Sequence, residues 1–167
     1  MNRTSDEILS DVLSVGNSPS LHTLDERTAR QKAVDVWTPA VLLERSEVLR
    51  GVATKGTGTA GESLRKFPRH STAMLFRSSD GGVELHERFA DLFYVLDGAA
   101  TLLTGGTITG NLEVDPGEFR GISIEGGTRQ ELRSGDVAHV PAGVPHQMLV
   151  AAGRSISCFV VKIREAE

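Results

Sequence analysis

Two periods of apolar residues divide the chain. Up to about Gly51 they recur at helical spacing among charged residues; from about Ser71 they alternate, and turn residues interrupt the alternation every few positions. In the first part, Ser5 is placed to cap a helix that carries Ile8, Val12 and Leu13 on one face. A polar stretch follows over residues 16–32. Val34-Asp35-Val36-Trp37 then reads as a short extended piece, with Trp37 placed to anchor the N-terminal region on the rest. Thr38-Pro39 predicts an N-cap followed by proline at the first helical position, and Leu42, Leu43 and Val48 form the expected buried side of a helix reaching about Arg50.

In the second part, residues 72–76, 83–87, 91–96, 99–104, 137–140, 147–150 and 155–161 are short runs rich in β-branched and aromatic side chains. Ser78-Ser79-Asp80-Gly81-Gly82, Asp97-Gly98, Gly105-Gly106 and Ser134-Gly135-Asp136 punctuate them as turns. Many short strands with glycine-rich turns predict an all-β sandwich or barrel. The expected organisation is a helical and extended segment over residues 1–70 packing on a barrel formed by residues 71–167. Residues 105–133 are long for a connection inside a small barrel. They predict a surface hairpin or, alternatively, a lid or oligomer contact near the barrel mouth.

Composition then removes several function classes. The 167 residues suffice for one well-buried core and fall short of two typical domains. A net charge of −4, with no run of Lys or Arg longer than two, leaves no electrostatic footprint for nucleic acid. The single cysteine, Cys158, excludes an intramolecular disulfide and reads as a small core residue in an apolar run. The first 14 residues carry Asp6, Glu7 and Asp11 and do not read as a signal peptide. No apolar stretch approaches the roughly 20 residues that span a bilayer. A soluble, cytoplasmic protein is expected, with no nucleic-acid or membrane partner.

Candidate chemistry sits in two clusters. In the first, Glu84 and His86 project from one face of a strand while Glu87 points the other way, and Asp91 opens the next strand. One imidazole and two carboxylates gathered in this way suit a divalent ion. The second cluster runs from Gly135 through Pro141-Ala142-Gly143 to His146, a strand, a tight corner and a histidine. His139 lies in the strand before that corner, as a packed or surface residue or one with a supporting or acid/base role. Tyr94 is expected to pack between sheets.

The two clusters resemble the cupin superfamily. Its second motif has the form Gly-x5-Pro-x-Gly-x2-His-x3-Asn. Gly135, Pro141, Gly143 and His146 match it in spacing, with Val150 in place of Asn. Its first motif carries His-x-His and then a glutamate. His86 matches the second histidine, Glu84 replaces the first, Asp91 replaces the glutamate, and Tyr94-Val95-Leu96-Asp97-Gly98 resembles the usual ending. The resemblance covers roughly residues 71–162. It implies a double-stranded β-helix, or jelly-roll barrel, that holds one divalent ion (Zn, Fe, Mn or Ni) on Glu84, His86, Asp91 and His146. Two neutral imidazoles and two carboxylates would bring a divalent ion to zero formal charge. Changing Glu84 to His would restore the common pattern and raise that charge by one.

The resemblance further implies a metal-dependent enzyme acting on a small oxygenated organic molecule, of dioxygenase, isomerase or lyase type, and a homodimer. The alternative is a non-catalytic small-molecule-binding or sensing protein. No residue is singled out as catalytic.

Overall fold

The computed structural model describes residues 34–165, so the helix expected after Ser5 and the polar stretch 16–32 lie outside the described residues. Helix α1 (Pro39–Thr54) is capped as its sequence predicts. The Thr38 hydroxyl accepts a hydrogen bond from the Val41 amide at 3.4 Å, and Pro39 occupies the first turn, where its missing N–H has no intrahelical partner to lose. The buried stripe is Leu42, Ser46, Leu49 and Ala53. Leu43 and Val48, expected on that face, are instead 44% and 65% exposed. Polarity misleads here. Ser46 belongs to the buried face because its hydroxyl meets that of Ser157 in the last strand, and each satisfies the other.

Among the described residues twelve strands follow: β1 (Thr59–Lys66), β2 (His70–Arg77), β3 (Val83–His86), β4 (Phe89–Thr104), β5 (Thr107–Thr109), β6 (Leu112–Asp115), β7 (Glu118–Gly121), β8 (Ser123–Glu125), β9 (Thr128–Arg133), β10 (Val137–Val140), β11 (His146–Leu149) and β12 (Ile156–Arg164). The pairing is antiparallel, in the order β1-β2-β12-β4-β11-β3-β7-β6, with β9 and β10 also on β4 and with β5 and β8 as a separate ribbon. β1 joins the sheet although periodicity leaves it in the N-terminal segment. Its sequence around Gly61 and Glu62 has neither aromatic nor, after Thr59, β-branched residues.

β4 is the seam of the barrel. Its first half pairs with β12 and β10, and its second half with β11 and β9. The turn expected at Asp97-Gly98 is therefore a bend within one strand that carries the chain from one leaf to the other. The register with β12 slips there: Ser157 faces Asp97 while Cys158 faces Val95, which leaves Leu96 bulged. Gly98 makes the bend with φ of +85°, and a Cβ on it would stand 2.0 Å from the Ser155 carbonyl oxygen.

Two apolar cores result. One fills the space between the leaves, with Phe93, Val95, Leu102, Met148, Ile156 and Cys158 among its members. Burial pushes the Cys158 thiol up to about 12, so it behaves as the small core residue the sequence predicts. The other core lies between α1 and the outer face of β1 and β2, where Leu42, Leu49, Met74 and Phe76 pack with Trp37 and Phe159. The Trp37 and Phe159 rings are 5.7 Å apart, the anchoring expected of Trp37. Residues 105–133 do more than form a surface hairpin. β7 pairs with β3 and β9 with β4, so the segment supplies part of the barrel wall.

Candidate metal centre

Strand alternation brings Glu84 and His86 to one face of β3, while Glu87, just past the strand end, is exposed. Asp91 enters from β4, directly opposite Lys162 of β12. His146 opens β11 between Glu84 on one side and Thr104 on the other. The corner before it is fastened to β3, because the Gly143 amide donates to the His86 carbonyl at 2.8 Å. The second sequence cluster is thus tied to the first through the backbone of His86.

One donor atom from each of Glu84, His86, Asp91 and His146 lies within 4.8 Å of all the others. The Asp91 Oδ2 atom is 3.2 Å from His86 Nε2 and 3.5 Å from His146 Nε2. The Glu84 Oε2 atom is 3.6 Å and 3.8 Å from the same two nitrogens. His86, Asp91 and His146 are buried, and Glu84 is partly so. The structure brings together all four residues that the sequence singles out.

The donor set fits a divalent cation. His146 Nδ1–H donates to the Val144 carbonyl at 3.1 Å, which turns Nε2 toward the cluster. That Nε2 is buried and has no hydrogen-bond partner among the described residues. An unsatisfied buried polar atom costs about 1–3 kcal/mol, which a coordinated cation would remove. His86 is held in the same sense: its Nδ1 bonds the Glu118 carboxylate, so Nε2 also faces the centre.

Three residues of the site escape the sequence motifs. Glu118 and Arg120 are alternate residues of β7, directly opposite His86 and Glu84 respectively. Arg120 Nη2 lies 3.8 Å from Glu84 Oε1. Lys162 Nζ lies 3.1 Å from each ring nitrogen of His86 and 3.6 Å from Glu118 Oε2. The signals were present: Glu118-Phe119-Arg120 puts two opposite charges on one face after the Pro116-Gly117 turn, and Lys162 interrupts the apolar run of β12. His139 is exposed, away from the cluster, and Tyr94 is 40% exposed on the outer face of β4 rather than packed between sheets.

Charge is tightly coupled in the centre. Burial opposes the ionised form of Glu84, but the neighbouring His86, together with Arg120, His146 and Arg77, outweighs it and holds the carboxyl well below the usual range. Burial likewise opposes ionisation of Asp91, and the neighbouring His146 and His86 imidazoles, with Lys162, overcome it and hold the carboxyl well below the usual range. Burial would lower His86, yet Asp91, Glu118 and Glu84 raise it to about 10. With its pKa above the unfolded value, His86 stabilises the metal-free fold fully below about pH 6.5, and that contribution is lost as pH climbs through about 10. A cation must displace the same proton. Ion affinity is therefore expected to rise with pH up to about 10, with about one proton released per ion bound at neutral pH. Calorimetric titration in buffers of different ionisation enthalpy measures this release, and a value near zero would contradict it.

Comparison with known proteins supports the fold. No protein-family model and no curated protein sequence matches the chain. The protein TT1209 from Thermus thermophilus superposes with a TM-score of 0.54 at 16% identity, over 80% of this chain and 100% of the other. An uncharacterised conserved protein with a double-stranded β-helix domain from Klebsiella pneumoniae gives a TM-score of 0.54 at 12% identity, over 79% and 91%. The cupin domain of Cnp3 from Schizosaccharomyces pombe gives 0.49 at 12% identity, over 64% of this chain; this chain spans 65% of that one, a little under two thirds. A ten-stranded curled sheet seamed by β4, with two motif clusters meeting inside it, gives this chain a double-stranded β-helix fold.

Proposed function

We propose that this protein is a metal-dependent enzyme acting on a small oxygenated organic molecule, with Glu84, His86, Asp91 and His146 holding one divalent ion. The observation that carries this reading is the buried Nε2 of His146, without a hydrogen-bond partner among the described residues and aimed at two carboxylates and a second imidazole. A bound Zn, Fe, Mn or Ni ion would polarise a substrate oxygen or, for iron, activate dioxygen. Four protein ligands of six leave two positions for substrate. Around that centre, Glu84, Asp91 and Glu118 bring three negative charges, and Arg77, Arg120 and Lys162 three positive ones. A divalent ion then leaves the largely buried site net positive, which favours an anionic oxygen ligand over a neutral or cationic one.

Protein purified without chelator is expected to carry, or to take up on reconstitution, about one equivalent of a transition ion. Well under half an equivalent by elemental analysis would sink the reading. A screen of small hydroxy and keto acids, scored for both binding and turnover, then separates an enzyme from a binding protein. The second reading has one observation behind it: the two ligand carboxylates cancel the ion's charge, which weakens activation of bound water and suits a holding role.

The same reading includes a cytoplasmic homodimer. Its support is the edge strand β6, exposed throughout with Leu112 and Val114 on its surface. Sedimentation as a 17.9 kDa monomer at micromolar concentration would exclude the dimer.

A further inference from the structure

Glu84 occupies the place where the cupin pattern usually has a histidine, and β7 supplies a partner that a histidine could not use. The two carboxylate oxygens of Glu84 face different neighbours. Oε2 points to the Nε2 atoms of His86 and His146, and Oε1 points to Nη2 of Arg120. Arg120 is its direct cross-strand partner, and its guanidinium is steadied from the other side because Nη1 donates to the Phe119 carbonyl at 2.9 Å. An arginine so close to a divalent ion would repel it unless an anion stood between them. Glu84 is that anion.

We propose that Glu84 and Arg120 are a matched pair, in which Arg120 is a positioning residue that holds one oxygen of Glu84 and leaves the other for the ion. The proposal rests on the reading that Glu84 is a ligand. It reverses the expectation from the motif alone. Glu84→His does not simply restore the common pattern, because it removes the carboxylate that separates Arg120 from a divalent charge. The carboxylate at 84 and the arginine at 120 must change together. The pair also gives residues 105–133 a defined task, since β7 orients Glu84 through Arg120 just as it orients His86 through Glu118.

The test is a double-mutant cycle read by Co(II) titration of the full chain, with the visible absorption of Co(II) reporting its coordination. Arg120→Met is expected to weaken Co(II) binding about 10-fold in the parent and to change the absorption band as the carboxylate turns. Arg120→Lys, which keeps the charge but not the fork, is expected to recover part of the loss. Glu84→His alone should bind about 100-fold more weakly, and adding Arg120→Met to it should regain roughly 10-fold. The sign of the arginine effect thus flips between the two backgrounds. An Arg120→Met shift of the same factor in both backgrounds would overturn the pairing while leaving the metal centre standing. Arg120→Gln carries the same comparison where Met prevents folding. A parent protein that takes up no Co(II) would overturn the metal reading itself and the pairing with it.

Discussion

His146→Ala is expected to weaken divalent-ion binding by more than about 100-fold, since loss of even an outer supporting residue costs about 10–100-fold. Of the four candidate ligands, His146 has the least freedom to be replaced. It leads β11 into the barrel between Glu84 and Thr104, its Nδ1 is committed to the Val144 carbonyl, and its Nε2 has no hydrogen-bond partner among the described residues. No neighbouring side chain can substitute from the same direction, because Met148, next on that face of β11, belongs to the apolar core. Glu87→Ala removes a carboxylate three residues from Glu84 in sequence, yet Glu87 is exposed, so affinity should be unchanged. Isothermal titration of both variants beside the parent checks the pair. Equal losses would mean that the register of β3 is shifted by one and that the wrong face has been assigned to the ion.

The second large effect concerns stability. Gly98→Ala is expected to cost roughly 3–5 kcal/mol, measured by urea unfolding of metal-free protein. Two penalties combine. The φ of +85° is one that an L-residue adopts at a cost of about 1–2 kcal/mol. The new Cβ would also meet the Ser155 carbonyl oxygen at 2.0 Å, and that oxygen cannot easily retreat because it accepts the Ala99 amide at 2.9 Å. A flexible side chain could swing away, but backbone held by its neighbours cannot. A loss under about 1 kcal/mol would show that the bend in β4 rearranges readily.

Most of the fold is legible in the sequence from alternation and turn residues, and the four candidate ligands from resemblance to two short motifs. Alternation alone puts Glu84 with His86, and fixed spacings put His146 after the Pro141 corner. What is not legible is set by tertiary pairing. Asp97-Gly98 looks like any turn until β12 is seen to bond both sides of it, which turns a reversal into a bend. Ser46 looks like a surface residue until Ser157 arrives from the far end of the chain. Glu118 and Arg120 look like solvated charges of a hairpin, because nothing local in residues 105–133 says that β7 will lie beside β3. The side chains that flank the candidate ligands come from sequence-distant elements, and that is why motifs find the candidates and miss their neighbours.

The position of β12 bears on how the barrel can assemble. It follows every other described strand in sequence, yet it lies between β2 and β4 in the middle of the sheet. β1 and β2 can pair as soon as they are made, and so can β4 with β9 and β10, but these two groups remain separate until β12 is available to bridge them. Until then β2 and β4 each present an unpaired edge, the surface through which growing chains associate wrongly. Closure depends on strand pairs far apart in sequence, such as Ile163 with His70, which places the barrel among slow-folding topologies. Lys162 reaches His86 only at that same moment, so the centre gains its last cation in the step that shuts the sheet.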